Sequence, residues 1–525
     1  MSYLLHQAVM RAAGLTPQQE ALRCNGQSLS YAELARRAGS LARLLLEQGV
    51  QRGDRVGIYL PKSLESHVAV YGIMMAGAAY VPLDPLAPVA RTSYVIGDCG
   101  IRWLATSEDK RANLPAILEA QPELACLLGV APGDDLAAPA IPWDQVWAEP
   151  AELPDLGLTE MDLAYILYTS GSTGDPKGIM HTHRSGLAFA QWAAATYDLR
   201  AEDRLSNHAP LHFDLSTFDL FAGALAGATT VIIPEAVTKF PASVAKLMVD
   251  ERISVWYSVP FALIQLLQRG NLATRDLSPL RWVLFAGEVF PTKHLRSLMA
   301  ALPGPRYSNL YGPTETNVCT YFHVDALPED SDETIPIGVV CENAQGLVVD
   351  ADGQPVPAGQ VGELVIRGPI VMRGYWGRPD MSERGFLRHA VFPHYRDIFY
   401  RTGDLVQQRP DGNLIYLGRK DRQIKTRGYR VELDEVEVAL LAHGQVEEAA
   451  VFPVPDGDGS NLIVAAVIAK VGCQLSSDLL IGHLSSRLPW YAVPAAIDLT
   501  DDFPRTSTGK IDRRALRERA LANHL

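Results

Sequence analysis

Short apolar runs alternate with helical repeats of apolar residues along the first half of the chain. Apolar residues between 31 and 48 recur at helical spacing, whereas residues 55–60 (RVGIYL) form a run typical of a strand. A second helical stretch ends near residue 76 and leads into the strand-like YVPL. Three further strand-like runs lie near helical segments, at 229–233, 253–258 and 281–285. This alternation predicts α/β layers with largely parallel sheets.

The pattern changes in the last third of the chain. From about residue 335, short apolar runs are separated by Gly and Pro, which predicts a smaller β-rich subdomain before residue 420. Two helical and two strand-like segments follow, enough for a small α+β domain. We therefore expect two domains, 1–420 and 421–525, with a boundary near Asp421. The Pro-, Ala- and Asp-rich residues 131–157 predict a long surface connection.

Residues 164–180, AYILYTSGSTGDPKGIM, combine a buried strand with a loop of different character. Glycines in such a loop allow turns that present backbone N–H groups to an anion. The spacing excludes a Walker loop, because Gly178 follows Lys177, and a nucleophile elbow, because Ser170 stands two residues before Ser172. The composition predicts a phosphate loop, with a surface turn that binds nothing as the alternative. Its candidate ligands are Thr169, Ser170, Gly171, Ser172, Thr173, Gly174 and Lys177.

Composition limits the possible partners. The 525 residues are 47% hydrophobic and 20% charged, and the net charge is −13. An acidic chain has no general attraction for nucleic acid or anionic lipid, so we expect neither as a partner. The apolar segment 68–83 is too short to span a membrane, the N-terminus lacks a secretory signal, and residues 1–14 read as an amphipathic helix. We expect a cytoplasmic protein whose six scattered cysteines are reduced and hold no metal.

The loop does not stand alone. Further segments follow it in order. Together with the loop, these segments resemble the signature motifs of the adenylate-forming superfamily, which includes peptide-synthetase adenylation domains, acyl-CoA synthetases and luciferases. The downstream segments are HFDLS (212–216), NLYGPTE (309–315), GELVIRGPIVMRGYWGRPD (362–380), YRTGD (400–404), GRKDRQIKTRGYRVE (418–432) and TSTGKIDR (506–513). Upstream, LSYAEL (29–34) and MAGAAYVPLDP (75–85) are similar to the first two motifs of the family. The resemblance implies a large N-terminal α/β domain with a β-rich subdomain, and a small mobile α+β domain that rotates about Asp421.

The resemblance also implies roles for particular residues. Lys510, on a Thr-Gly turn near the C-terminus, would bridge the substrate carboxylate and the α-phosphate of ATP. Thr314 would bond the α-phosphate, Glu315 would bind Mg²⁺, and Lys425 would serve the rotated state in which the acyl group is passed on. The residues implied to hold the adenosine part are Ala286, Gly287, Asn309, Tyr311, Gly312, Asp404 and Arg419.

Substrate choice is predicted from HFDLS. Asp214 precedes alternating apolar residues, and a carboxylate in an apolar pocket needs a cation, such as a substrate ammonium group. A helix cap is the alternative for Asp214. The family's pocket positions correspond to Phe213, Asp214, Leu215, Phe218, Tyr257, Leu284, Ala286, Leu310, Val318 and Cys319. This mainly apolar set resembles that of prolyl adenylation enzymes, which implies L-proline as substrate, with leucine or valine as the alternative.

The implied function is ATP-dependent activation of an amino acid to aminoacyl-AMP, followed by transfer to a phosphopantetheine thiol. Because the sequence ends soon after Lys510, we expect that thiol on a separate peptidyl carrier protein. An acyl-CoA or aryl-acid ligase remains an alternative, as does a nucleotide-binding regulator that has lost catalysis. A tRNA synthetase is disfavoured, because the chain is acidic and lacks HIGH-like and KMSKS-like sequences.

Overall fold

The structure is a computed structural model that describes residues 2–171, 174–327, 333–389, 397–457, 460–505 and 511–524. Within these residues the chain forms two large sheets with parallel centres, one antiparallel sheet, and a C-terminal part with a hairpin and a small sheet. The α/β layers and the later β-rich part expected from the sequence are both present. The division into domains 1–420 and 421–525 stays a prediction.

The first large sheet has six parallel strands at its centre and antiparallel strands at both edges. In spatial order, its strands are Val339–Val340, Thr320–Val324, Arg306–Tyr311, Trp282–Ala286, Val255–Ser258, Arg204–Asn207, Thr229–Ile232, Glu20–Cys24 and Gln27–Ser30. Successive side chains enter different cores: Val255 and Tyr257 belong to one apolar cluster, and Trp256 belongs to another. Because both faces are covered, these strands read as continuous apolar runs.

The second large sheet has six parallel strands and antiparallel strands at one edge only. Its strands in spatial order are Gly374–Tyr375, Lys177–Thr182, Leu163–Thr169, Ala79–Pro82, Arg55–Ile58, Trp103–Ala105, Cys126–Leu128 and Ala140–Ile141. The segment 131–157, expected to be a long surface connection, is at least partly exposed at every residue except Val146, but it contains two short elements. A strand there extends this sheet, and Trp143–Ala148 forms a helix whose Val146 is fully buried. Proline and alanine obscured the short apolar pattern of this segment.

The helices lie mainly around these two sheets, and the largest apolar cluster combines residues of both sheets with helices between them. Serine and threonine begin several helices by bonding to free N–H groups, as Ser30 does with Glu33 in a capping box. The α-helices are Gln7–Leu15, Tyr31–Glu47, Leu64–Met75, Val89–Cys99, Leu114–Ala120, Trp143–Ala148, His183–Thr196, Gly223–Ala226, Glu235–Thr238, Pro241–Asp250, Pro260–Arg269, Thr292–Ala301, Pro379–Gly385, Leu433–Leu441, Ser477–Ser485 and Arg513–His524. Shorter helical turns cover Glu108–Asn113, Phe218–Ala222, Leu272–Thr274 and Trp490–Ala492.

The rest of the chain forms three smaller sheets. The antiparallel sheet contains Gln345–Val349, Val361–Arg367, Asp397–Gln408, Phe386–His389 and Leu414–Arg419. Gln423–Thr426 and Tyr429–Glu432 then form a hairpin, which we call the 423–432 hairpin. In the last sheet, Asn461–Ala469 is the central strand and pairs with Val446–Pro455 on one side and Ala496–Leu499 on the other. This sheet has its own apolar clusters on its two faces.

The six cysteines are free thiols, and all but Cys473 are buried. In the described parts of the chain, we find no helix that is both long enough and apolar enough to cross a membrane.

Buried histidines make stability depend on pH. His67 is fully buried in the helix Leu64–Met75, where its ring contacts the Ser63 carbonyl and the Asn207 side chain. Burial lowers the pKa of His67 from 6.5 to about 4. Between these two pH values the unfolded chain therefore binds a proton that the folded chain does not bind.

We predict that the free energy of unfolding falls as the pH is lowered from 6.5 towards about 4. The His67→Gln variant lacks this proton uptake. The slope of its free energy of unfolding against pH should therefore be smaller by up to about 1.4 kcal/mol per pH unit. Urea denaturation at a series of pH values, followed by fluorescence, measures both slopes. Equal slopes for the two proteins would contradict this role of His67.

Candidate functional site

A cavity of about 330 Å³ lies at the carboxyl ends of the parallel strands Trp282–Ala286 and Arg306–Tyr311. Open α/β sheets commonly bind ligands at this edge. The structure brings many of the predicted residues to this cavity, and the 423–432 hairpin closes one side of it. The predicted residues in its lining are Gly287, Asn309, Leu310, Tyr311, Gly312, Thr314, Asp404, Arg419, Asp421 and Lys425.

The predicted phosphate loop is shorter than the sequence suggested, because Thr169 and Lys177 are paired across two antiparallel strands. Gly171 has no space for a side chain, since a Cβ would lie 2.1 Å from the Asp175 carbonyl oxygen. The Ser170 hydroxyl donates to the Arg430 carbonyl over 3.1 Å and accepts the Glu432 N–H over 3.2 Å. The loop is thus in contact with the 423–432 hairpin. Ser172 and Thr173 lie outside the described residues.

Glu315 is the centre of a buried group of charges. Its Oε2 accepts a bond of 2.9 Å from Arg430, and its Oε1 accepts a bond of 2.8 Å from the Tyr375 hydroxyl. The Lys177 ammonium lies 3.8 Å from the same carboxylate and 4.9 Å from the centre of the Tyr375 ring. Burial acts to raise the pKa of Glu315, but the charges of Arg430 and Lys177 outweigh it and hold the pKa well below its usual range.

This arrangement of Glu315 does not fit a magnesium ion. Mg²⁺ requires oxygen ligands at about 2.0–2.1 Å, and it would have to stand where the guanidinium group of Arg430 contacts both carboxylate oxygens. The described residues also contain no group of three or more His, Cys, Asp or Glu side chains that could hold a metal ion.

Asp404 and Arg419 form a second pair of charges in the cavity. One carboxylate oxygen of Asp404 accepts from Arg419 over 2.8 Å, and the other accepts from the Tyr311 hydroxyl over 2.5 Å. Burial raises the pKa of Asp404, and the charge of Arg419 opposes this rise. Arg419 also donates to both oxygens of Asp421 over 2.6 and 2.7 Å, which ties the predicted hinge residue to the cavity wall.

Asp214 lies half-buried beside the apolar core. Burial raises the pKa of its carboxyl group, and the Lys425 ammonium and the Thr314 hydroxyl oppose the rise. The alternative in which its carboxylate caps a helix is not supported, because Thr217 is the cap residue of Phe218–Ala222 and no side chain bonds there. Thr217 bonds to the Asp214 carbonyl instead, over 2.6 Å.

The remaining predicted pocket residues come together in one apolar cluster. Phe218 meets Tyr257 edge to face, with ring centres 5.3 Å apart, and Tyr257 is a register neighbour of Leu284 on the next strand. Phe213 is half-buried against this cluster. The buried members are Leu215, Phe218, Tyr257, Leu284, Ala286, Leu310, Val318 and Cys319.

A second cavity of about 510 Å³ reaches Phe213 from the other side of the hairpin. Tyr429 packs edge to face on Phe213 with ring centres 4.9 Å apart, and it stacks on Tyr491 at 3.9 Å. Gly428 has a φ of +85°, and a Cβ there would lie 2.5 Å from the Val259 side chain. Glycine is therefore the residue that lets the hairpin approach this closely.

The sequence analysis missed three residues of the site. Arg430 and Tyr375 lie inside quoted motifs but were given no role, although both contact Glu315. Glu288 follows Gly287 and accepts a bond of 2.9 Å from Ser460. Burial raises the pKa of Glu288, and bonding to the Gly428 N–H opposes this. Lys510, the predicted catalytic lysine, lies outside the described residues.

Comparison with known proteins bears on the identity of this site. Residues 9–376 match the family model described as AMP-binding enzyme, and residues 435–510 match the AMP-binding enzyme C-terminal domain. An L-proline--[L-prolyl-carrier protein] ligase of Pseudomonas fluorescens is 39% identical over 513 residues, which cover 98% of each chain. A relative of the same name from Streptomyces coelicolor is 39% identical over 497 residues, which cover 93% of this chain and 91% of the relative.

A solved structure shares the whole fold. The adenylation domain AlmE of Vibrio cholerae, solved in complex with glycyl-adenosine-5′-phosphate, superposes with a TM-score of 0.83 at 25% identity. The superposition covers 99% of this chain and 98% of that one, so the fold is that of adenylate-forming enzymes. The chain therefore belongs to the family of AMP-binding enzymes, the superfamily that its ordered motifs resemble.

Proposed function

We propose that this protein activates L-proline with ATP to give prolyl-AMP and pyrophosphate, and then transfers the prolyl group to the phosphopantetheine thiol of a separate carrier protein. The observation that carries the proposal is the 39% identity, over 98% of both chains, to a ligase named for this substrate and acceptor. The site chemistry agrees with it, because Asp214 offers a carboxylate to an amine beside the apolar cluster that contains the predicted pocket residues.

The first half reaction joins two anions. A proline carboxylate oxygen attacks the α-phosphorus of ATP, a new P–O bond forms, and the bond to pyrophosphate breaks. Repulsion between the reactants is the main obstacle, so the protein has to supply positive charge and positioning. Lys177, Arg419 and Lys425 lie in or beside the 330 Å³ cavity, and Lys510 remains the predicted bridge between the reactants.

The proposed nucleotide position follows from the polar groups of this cavity. Asp404 is a candidate partner for the ribose hydroxyl groups, but its oxygens already accept from Arg419 and Tyr311, so a ribose would share or replace these bonds. Asn309 and the backbone at Ala286 and Gly287 are the candidates to contact the adenine. ATP is the expected nucleotide, and Mg²⁺ is its usual partner ion.

Proline recognition is proposed to combine one charge with an apolar surface. The amine of proline would pair with Asp214, and the proline ring would pack against buried side chains such as Phe218, Tyr257 and Leu284. A charged or amide side chain would leave its polar groups without partners in this pocket, which disfavours polar amino acids.

The second half reaction needs a path for a thiol. The 510 Å³ cavity reaches Phe213, Gly428 and Tyr429, close to the proposed amino-acid position. We propose that the phosphopantetheine arm of the carrier protein enters here. Its thiol would lose a proton to solvent, the sulfur would attack the prolyl carboxyl carbon to form a C–S bond, and AMP would leave with the electron pair of the broken C–O bond.

We predict that pyrophosphate exchange into ATP depends on L-proline more than on any other amino acid. Leucine and valine are the matched apolar comparisons, and an aryl acid without an amine tests the acyl or aryl ligase alternative. Strong exchange with the aryl acid and none with proline would replace the proline proposal with that alternative.

Removing the charge of Asp214 tests amine recognition. We predict that Asp214→Asn lowers proline-dependent exchange, as kcat/KM, by at least about 100-fold, because a buried charge pair loses one partner. Protonation of Asp214 removes the charge that would bind the amine, so the KM of the unchanged protein for proline should rise as the pH falls. Because burial raises the pKa of Asp214, this rise should begin at a higher pH than it would for an ordinary carboxyl group.

The Asp214→Asn variant also provides the control for this pH effect. Its KM for proline should show no such rise, since the amide does not titrate, and its unfolding free energy at neutral pH should not be lower than that of the unchanged protein. Full activity of the variant would contradict the proposed contact.

A further inference from the structure

The 510 Å³ cavity is lined by a cluster of titratable side chains, which are Lys62, Asp84, His208, His212 and Glu235. The ring of His212 meets the ring of Phe213 edge to face, with centres 5.2 Å apart. The Nε2 atom of His212 is buried and has no hydrogen-bond partner within the part of the chain that the structure describes. His212 therefore places an imidazole with an unused nitrogen beside the proposed amino-acid position.

We propose that His212 is the base that takes the thiol proton in the second half reaction, and that Asp84 positions it; this role rests on the proposed function. The S–H bond breaks as its proton moves to an imidazole nitrogen, and a C–S bond forms at the prolyl carboxyl carbon. AMP leaves with the electron pair of the C–O bond. The cavity extends to the exposed Trp490, so the imidazolium group can then release the proton to solvent.

Asp84 is placed to orient the imidazole. Its Oδ1 accepts the Leu86 N–H over 2.9 Å, which fixes the carboxylate, and its Oδ2 lies 3.9 Å from Nε2 of His212. The exposed fractions of the two side chains are only 14% for Asp84 and 12% for His212. This separation is longer than a hydrogen bond, but a proton on the imidazole would turn the contact into an ion pair. With an Nε2–H directed at Asp84, Nδ1 is the nitrogen left to accept the thiol proton.

The surrounding charges suit a base that starts neutral. Burial lowers the pKa of His212, and the charges of Lys62 and Arg91 act in the same direction. The carboxylates of Asp84 and Glu235 oppose this fall, and they would stabilise the imidazolium group once it forms. The imidazole is therefore free of a proton before the thiol arrives, as a general base has to be.

His208 lines the same cavity in a different charge environment. Its ring packs against the Trp256 ring, with centres 5.3 Å apart. Burial lowers the pKa of His208 to about 3, and the nearby cation Lys62 acts in the same direction. Because no carboxylate offsets these effects, His208 is not suited to hold the thiol proton, which makes it the matched control.

Single-turnover transfer tests the role of His212. Enzyme-bound prolyl-AMP, formed from ATP, L-proline and Mg²⁺, is mixed with pantetheine, and the prolyl thioester is measured by rapid quench. We expect His212→Gln to lower the transfer rate at neutral pH by about 100-fold, the contribution typical of a general base. Any change in the rate of prolyl-AMP formation should be at least about tenfold smaller than this loss. His208→Gln should keep the ratio of the two rates found in the unchanged protein.

The pH dependence of transfer distinguishes a base from a structural residue. In the unchanged protein the transfer rate should be nearly constant from about pH 7 to 8, because neutral His212 accepts the proton during the attack. In His212→Gln only the thiolate reacts, so the rate should rise about tenfold per pH unit up to the pKa of the thiol. The difference between the two proteins should therefore shrink as the pH rises.

A double-variant comparison tests the role of Asp84. We expect Asp84→Asn to lower the transfer rate about fivefold or more when His212 is present, because the imidazole loses its positioning partner. The same change should have no further effect in His212→Gln. Equal losses in both backgrounds would contradict a role of Asp84 that acts through His212.

The outcomes separate this role from the proposed function. Loss of prolyl-AMP formation and of transfer to the same extent in His212→Gln, or full transfer by that variant, would overturn the role of His212 and leave the proposed function intact. A transfer rate of the unchanged protein that rises about tenfold per pH unit would do the same without any variant. If the unchanged protein forms no prolyl-AMP, the proposed function fails and the role of His212 fails with it.

Discussion

The site is organised by the need of one buried carboxylate for a positive partner. Glu315 is fully buried, and it is stabilised by Arg430, Lys177 and the Tyr375 hydroxyl, which come from three separate parts of the chain. Because removing one partner of a buried ion pair is strongly destabilising, this carboxylate links the position of the 423–432 hairpin to the charges beside the 330 Å³ cavity. The arrangement of the remaining site follows from that link.

The same hairpin connects the two cavities. Its Lys425 lines the first cavity; burial lowers the pKa of Lys425, and the charges of Asp214 and Asp404 oppose this. Its Gly428 and Tyr429 line the second cavity against Val259 and Phe213. A single short element thus lies between the proposed place of activation and the proposed path of the thiol. This placement suits an enzyme that performs two reactions in one cleft.

Much of the fold could be predicted from the sequence, because its signals are local. Residues 281–285 and 253–258 read as strands since both faces of the first sheet are covered, and the residues around 31–48 read as a helix since one side is buried. The strand and helix of the segment 131–157 were not predicted because they are short and are flanked by Pro139, Pro142 and Pro150. Ordered motifs indicated the family, which the comparisons confirm.

The contacts of the site could be predicted less well. Arg430 and Glu315 are 115 positions apart, and Tyr375 and Glu315 are 60 apart, so no local pattern pairs them. The motif assigned Glu315 to a metal ion, whereas the structure pairs it with Arg430. The roles of Thr314, Asp404 and Lys425 stay predictions, as does that of Lys510, which lies outside the described residues.

The account depends most on the claim that the cleft joins proline to the α-phosphate of ATP and retains the product until an acceptor arrives. Rapid-quench analysis with ATP labelled at the α-phosphate, L-proline and Mg²⁺, without carrier protein, measures this directly. The account predicts a burst of enzyme-bound prolyl-AMP, equal in amount to the active protein and to the pyrophosphate released, and no ADP. Formation of ADP, or of free AMP without any dependence on proline, would contradict it.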